Sequence, residues 1–504
     1  MTNLKTRPPD IGTAVRIIMI IVVLIISTVQ FVRLLSYDFR EGPLVGDQSS
    51  HLLQALSISE QGNLSFDNGD IEAWSEVDWT PTPRHLFFQK YEHGFAFAKP
   101  YGYSAWLAPF MVVFGAVRGV AVGNTTLVAA LAVFVYLLAR RKLDRTISIF
   151  TATLFVFGST AYMYGFVVHP DLFLAVLTAA ITYFAVRLDT DKSIRWAVAT
   201  GAFVGFAFSE KPTLMAIYVL LLAAVLWRAR EPRLVATVIV AFVVTFLVAI
   251  IPYAKYSEPS TWNAYSGQRM QSIAGDVPFD ATPETSDALV SLSGTFFGLS
   301  FWLETIGDET GEVAQTTGYM FVGRHTGMLP FMPFAFILVC IAAFRRWQRW
   351  HLVEAGALCG IAGYLIFYAT FFPINYFGGA QSLGNRYLLQ VIPAVVVVIV
   401  YTTLSRKAVF AVLGSGALLS VLFLGQHHQD PQSAYWMPDR VSLAQQYLPF
   451  EHGRTGQHGF ACPARINRDG DLSVRFIVEH GSDLCLELLG IEVERVIVDN
   501  SGGG

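Results

Sequence analysis

Apolar blocks long enough to cross a bilayer recur along most of the chain, separated by short connectors rich in arginine and lysine and by a few long polar segments. A helix needs roughly twenty mostly apolar residues to span the hydrocarbon layer. By that measure spans are expected at 14–35, 124–140, 146–165, 171–187, 194–209, 212–228, 233–253, 327–344, 351–372, 386–404 and 407–425, about eleven in all. The first has no small-residue cleavage site behind a short apolar core, so it reads as a retained helix and not as a removed signal. The closing "SGGG" reads as an added tail and is left out of the fold.

The connectors orient these spans. "ARRKLDR" (139–145), "RLDTDKSIR" (187–195), "WRAREPR" (227–233), "FRRWQRW" (344–350) and "SRK" (405–407) are basic and fall at alternate connections. Short basic loops stay in the cytoplasm, so the opposite, extracytoplasmic side carries the long segments 36–123, 254–326 and 373–385. An odd number of spans puts everything from 426 onward on that side too. The stretch "YGYSAWLAPFMVVFGAVRGV" (101–120) is apolar enough to be another span. Counting it would turn every later basic loop outward, so it is expected to lie in or dip into the outer interface, its aromatic side chains at headgroup depth.

Composition agrees with this pattern. The 504 residues are 53% hydrophobic and 14% charged, where a soluble chain carries roughly a quarter charged residues. A net charge of −3 gives no basic surface for nucleic acid. The expected fold is an all-α polytopic membrane domain over 1–425, with outer-face juxtamembrane helices, followed by a small α/β or β-rich extracytoplasmic domain over 426–504. Cys340 and Cys359 lie in apolar spans and read as small hydrophobes. Cys462 and Cys485 fall in the outer tail, where an oxidising compartment favours a disulfide between them.

Ionisable groups at span ends are expensive unless paired or facing a wet cavity, and here they gather on one side. Asp47 and His51 follow the first span; Lys99 opens "KPYGY"; His169 and Asp171 stand in "VVHPDLF"; Glu210 and Lys211 in "FSEKPTL"; Arg324 and His325 in "VGRHTGMLP"; Arg386 in "GGAQSLGNRYLL". At helical spacing Asp47, His51 and Gln54 share one face and Leu52, Ala55 and Leu56 another, with Gly62 as the stop, which describes an amphipathic helix resting on the membrane. An acid in that first turn also caps a helix N-terminus, and such a carboxylate is a weaker base. Lys99, Lys211, Arg324 and Arg386 in one cavity call for an anion, and a phosphate fits. His169 and Asp171 together with Asp47 are ligand types that take a divalent cation, although two acids and a few histidines do not make a metal motif. Glu210 and Lys211 are helix neighbours and do not face each other.

The ordered series from the Asp-led segment "ALSISEQGNL", through "KPYGYSAWLAPFMVVFG", "NTTLVAALAVFVYLLARR" and "VVHPDLFLAVL", to "AFSEKPTL" resembles the GT-C superfamily of membrane glycosyltransferases. Within it, the likeness is to the branch of protein O-mannosyltransferases and lipid A aminoarabinose transferases. It covers roughly 14–260 well and 320–405 more thinly. It implies transfer of a sugar from a polyprenyl-phosphate lipid to a hydroxyl on a glycan, lipid or protein, at the outer face of a bacterial plasma membrane. The resemblance also implies roles: Asp47 as catalytic base, Lys99 on the donor phosphate, and Asp171 shaping the cavity or a metal site. His51, His169 and His325 are expected to line the cavity or the acceptor path. Family members commonly show an acidic pair followed by a tyrosine, where this chain has Asp47–Gln48 and His51. The chain has no G-x-x-x-x-G-K-[ST] loop, in keeping with a sugar activated on lipid. A lipid-linked glycan polymerase or ligase, and a flippase or transporter of a lipid-linked sugar, are the competing readings. A transporter is expected to place its polar groups near mid-membrane.

Overall fold

A computed structural model describes residues 11–41, 47–77, 79, 86–91, 94–254, 310–345, 350–371, 378, 383–402, 405–429, 431 and 442–448, and short strands at 269–272, 289–291, 465–466 and 472–473. Helices dominate: α1 (Ile11–Leu35), α2 (Asp47–Glu60), α3 (Asn68–Glu76), α4 (Gly102–Phe114), α5 (Ala116–Ala139), α6 (Arg145–Phe157), α7 (Thr160–Met163), α8 (Asp171–Asp191), α9 (Ile194–Glu210), α10 (Met215–Ala229) and α11 (Pro232–Ala254). After the second long polar segment come α12 (Thr310–Val322), α13 (Met328–Phe331), α14 (Pro333–Phe344), α15 (Leu352–Phe371), α16 (Arg386–Val391), α17 (Val397–Tyr401), α18 (Arg406–Leu424) and α19 (Leu443–Gln446).

Among the described residues, six helices are long and apolar enough to cross a membrane, or seven with the pair 145–157 and 160–166, which bends by 60°. The expected total of about eleven is not reached by length and composition. Every expected span overlaps helix, but those at 14–35, 327–344 and 386–404 fall on apolar stretches of only 20–35, 333–344 and 386–401, and that at 194–209 on the 17 residues of α9. Pro333 and Pro393 break those at 327–344 and 386–404, each standing at the first or second position of a new segment. α8 is the central strut, 89% of its apolar window buried, whereas α11 is only 17% buried and presents Val240, Val244, Val248 and Ile251 outward to lipid.

The ambiguous stretch 101–120 is not one continuous helix. α4 has 13 residues, about 20 Å of helix, and Gly115, at φ +79°, ends it. The chain then folds back as α5, which starts at 116 where the sequence pattern set it at 124. The two helices touch backbone to backbone: a Cβ on Gly119 would collide with the Cα of Met111. Small residues at such crossings are how membrane helices approach closely.

α2 corrects a second expectation. It does not rest on a membrane surface, because Gln48 through Ser57 are all buried. Its polar face is turned into the protein, against α4 and the strands above it. Gly62 does stop it, at φ +69°, with its N–H on the carbonyls of Ser57 and Ile58.

The first long polar segment supplies β1 (Ser65–Phe66), β2 (Phe87–Tyr91) and β3 (Gly94–Phe97), and the second supplies β4 (Arg269–Ser272) and β5 (Leu289–Ser291). They form one antiparallel sheet in the order β1-β3-β2-β4-β5, with Phe88 opposite Phe97 and Phe87 opposite Gln271. Phe66, Phe88, Phe95 and Phe97 are buried beneath it. The sheet thus ties the two long loops together and leads directly into Lys99. Of the tail, a two-residue strand pair, Arg465–Ile466 with Leu472–Ser473, is described. The expected Cys462–Cys485 pairing lies outside the described residues, while Cys340 and Cys359 are free thiols.

Candidate active site

Asp47, the first residue of α2, is the hub of the site. Its Oδ1 meets the Nζ of Lys99, and its Oδ2 lies 3.3 Å from His169 Nε2 and 3.6 Å from an Arg386 guanidinium nitrogen. Three distant parts of the sequence therefore converge on one carboxylate. Burial opposes its charge, but Lys99, His169 and Arg386 outweigh that and hold the Asp47 carboxyl well below the usual carboxylate range.

Each cation has its own support. Lys99 sits 3.9 Å from the ring centroid of Phe87 on β2, and its carbonyl accepts a hydrogen bond from Gln54 Nε2 at 3.0 Å. Gln54 is two helical turns beyond Asp47, so the shared face of α2 read from the sequence positions Lys99. Arg386 opens α16, with the Asn385 side chain accepting from Leu388 N at the helix start. Gly378, at φ +105°, lies so close that a Cβ there would collide with Arg386 Cγ. The missing side chain of Gly378 leaves room for the arginine.

His169 is held between two acids. Its Nδ1 lies 2.6 Å from Asp171 Oδ2, and Arg386 donates to its Nε2 at 2.6 Å. Asp171, the first residue of α8, also accepts from Gln390 Nε2, and Gln390 accepts from Tyr364 O–H at 2.8 Å. The loop that presents His169 has irregular backbone deep in the protein, and Asn124 of α5 satisfies it by donating to the carbonyls of Gly165 and Val167. Tyr103 of α4 donates to Asn124 in turn, at 2.9 Å.

Lys211 lies in the break between α9 and α10, its Nζ 4.2 Å from the Tyr387 ring centroid and 5.5 Å from that of Tyr368. Burial pushes its ammonium down to about 7. Tyr368 and Tyr387 stack on each other at 4.0 Å, and Tyr368 is 3.2 Å from Thr213.

His51 is placed next to this cluster, with ring centroids 6.4 Å apart between it and His169, but it is buried and faces Ser104 at 3.3 Å. Burial holds its ring neutral, down to about 3. Arg324 donates to its neighbour His325 at 3.1 Å, and Gln445 donates to the Arg324 carbonyl, which links this segment to the beginning of the tail. Sequence reasoning thus found Asp47, Lys99, His169, Asp171, Lys211 and Arg386, which the structure brings together. It missed Gln390, Tyr387, Tyr368 and Ser104; Gln390 lies four residues from Arg386, the spacing that signals a shared helix face. Among the described residues no group of three or more His, Cys, Asp or Glu side chains is disposed to hold a metal ion.

The opposite ends of the same helices carry the basic connectors. Along α8 Asp189 lies about 27 Å from Asp171, and there it accepts from Arg228 and Tyr401. Arg141 and Arg187 pair with Asp191, and Arg345 with Glu354. The site and the arginine-rich loops therefore occupy opposite ends of the bundle.

Residues 98–256 match the family model described as dolichyl-phosphate-mannose-protein mannosyltransferase. Over that segment the chain is similar to that family, in agreement with the resemblance read from its sequence. Among solved structures it is similar to ArnT from Cupriavidus metallidurans bound to undecaprenyl phosphate, at 14% identity and TM-score 0.45, over 83% of this chain and 68% of that one. It is also similar to ArnT from the same organism in the apo state, at 17% identity and TM-score 0.43, over 80% of this chain and 62% of that one. The Archaeoglobus fulgidus oligosaccharyltransferase in its apo form is similar at 12% identity and TM-score 0.41, over 88% of this chain and 61% of that one. No curated protein sequence matches the chain.

Proposed function

We propose that this chain, with its mannosyltransferase-type segment at 98–256, transfers a sugar from a polyprenyl-phosphate donor to a hydroxyl acceptor, with Asp47 as general base. The observation that carries this reading is the convergence of Lys99, Arg386 and His169 on Asp47, with Lys211 nearby and the whole set at one end of the membrane bundle. Dolichyl phosphate, named in the family's description, is a polyprenyl phosphate, and two fixed cations that can turn from a carboxylate to a phosphate suit such a donor. The rule for basic loops sets the arginine end in the cytoplasm and so the site on the extracytoplasmic face.

The chemistry follows from the charges. Departure of the sugar breaks its bond to the phosphate oxygen and leaves the electron pair there. Lys99 and Arg386 stabilise that charge as it develops. The sugar becomes oxocarbenium-like, so the acceptor hydroxyl gives up its proton late. A carboxylate facing three cationic or hydrogen-bonding partners alone accepts a proton poorly. A phosphate that takes up Lys99 and Arg386 relieves that hold, leaving Asp47 to receive the hydroxyl proton. His169, held by Asp171, keeps Asp47 in place. Asp171 and Gln390 are buried beside it. A transporter of a lipid-linked sugar fits less well, because the ionisable groups sit at one end and not at mid-membrane.

The reading is tested by incubating the purified protein with a panel of polyprenyl-phosphate sugars, among them mannose and arabinofuranose derivatives, and following release of polyprenyl phosphate. Release from at least one monophosphate donor is expected. Turnover of lipid pyrophosphate donors alone would instead favour a glycan polymerase or ligase.

A further inference from the structure

The "SEKP" segment contains a second acid that the reaction above does not use. Glu210, the last residue of α9, is 2% exposed. Both of its carboxylate oxygens accept from the backbone N–H of Gly102, each at 3.1 Å. Gly102 is the first residue of α4, so a buried carboxyl group sits on the positive end of that 13-residue helix. The fit requires glycine: a Cβ on Gly102 would lie 2.5–2.7 Å from the carboxylate atoms.

What this contact holds is more telling than the contact itself. Gly102 is three residues beyond Lys99, and Glu210 directly precedes Lys211. The backbone leaves the helix at Lys211, in an extended conformation (φ −152°, ψ 93°), so the two adjacent side chains diverge. Glu210 turns to Gly102 and Lys211 turns to the Tyr387 ring. The same short stretch of chain is pinned elsewhere, by Gln54 at the Lys99 carbonyl and by the Tyr101 hydroxyl donating to Ala249 of α11 at 3.0 Å. Of these ties, the one from Glu210 joins the Lys99 segment to the Lys211 segment.

We infer that Glu210 is a positioning residue: by clamping the start of α4 it fixes Lys99 relative to Lys211, so that both cations address one lipid-linked phosphate. This rests on the donor-site reading given above. The residue touches no reacting atom; it acts through the two lysines.

The test is a binding titration of the detergent-purified full chain with undecaprenyl phosphate, on wild type, E210Q, E210A, G102A and K99A, at a temperature below each variant's measured Tm. E210A and G102A are expected to weaken binding about tenfold, the effect of loosening one charge-assisted hydrogen bond to the phosphate. E210Q keeps an acceptor oxygen and is expected to stay within about threefold of wild type. Wild-type affinity in both E210A and G102A, or equal weakening in E210A and E210Q, would overturn the clamp. If E210A does not fold, G102A and E210Q carry the decision alone. K99A separates the two layers of the argument: undiminished binding there sinks the phosphate site itself, whatever Glu210 does.

Discussion

At the scale of single residues, the site is a problem in placing charge. Asp47, Lys99, His169, Asp171 and Arg386 were legible in the sequence because an ionisable group at the end of an apolar span costs free energy unless something offsets it. Ser104 and Gln390 were not, since a neutral amide or hydroxyl at a span end carries no such penalty and looks like any other polar residue. Lys99→Ala and Arg386→Ala should each weaken donor binding by about 1.5–3 kcal/mol, the worth of a charge-assisted contact, measurable by titration with polyprenyl phosphate. Gly378→Ala should move affinity in the same direction as Arg386→Ala, because its Cβ would displace the arginine side chain. Lys211 sets a pH dependence. Burial lowers its ammonium to about 7 in the free protein, and an anion binds the protonated form, so donor affinity should fall as pH rises from about 6.5 to about 8. Lys211→Arg, charged throughout that range, should flatten the profile of donor KM against pH; an unchanged slope would remove Lys211 from the phosphate site.

At the scale of elements, periodicity gave helices at the expected spans but misjudged where α2 lies. α2 has the alternation of a helix at a membrane surface, yet both of its faces are buried. Hydrophobic patterning reports that two faces differ, not whether the polar one meets water or the inside of a polar site. The stretch 101–120 has the composition of a span but is divided by Gly115 into a short helix and the start of the next. Its packing depends on Gly119, whose missing side chain lets α5 lie against the backbone at Met111. Gly119→Leu should force the pair apart and lower the Tm of the detergent-solubilised protein, by an overpacking cost of about 1–3 kcal/mol or more. A Tm equal to that of wild type would mean that α4 and α5 do not form this hairpin.

At the scale of the molecule, one bundle separates two kinds of charge. α8 carries Asp171 at the site end and Asp189 at the other, where Arg228 and Tyr401 meet it. The five-stranded sheet, built from both long loops, sets Phe87 against Lys99. That sheet could not be read from the sequence: β2 pairs with β4 across nearly two hundred residues, and the pairing leaves no local mark. The central claim is that Asp47 accepts the acceptor's proton while fixed cations receive the departing lipid phosphate. Single-turnover release of polyprenyl phosphate from a preferred donor, compared between wild type and Asp47→Asn at matched donor occupancy, tests it most directly. The account predicts a drop of about a hundredfold or more in rate, the usual contribution of a general base, with donor still bound. Release by Asp47→Asn at the wild-type rate would contradict it.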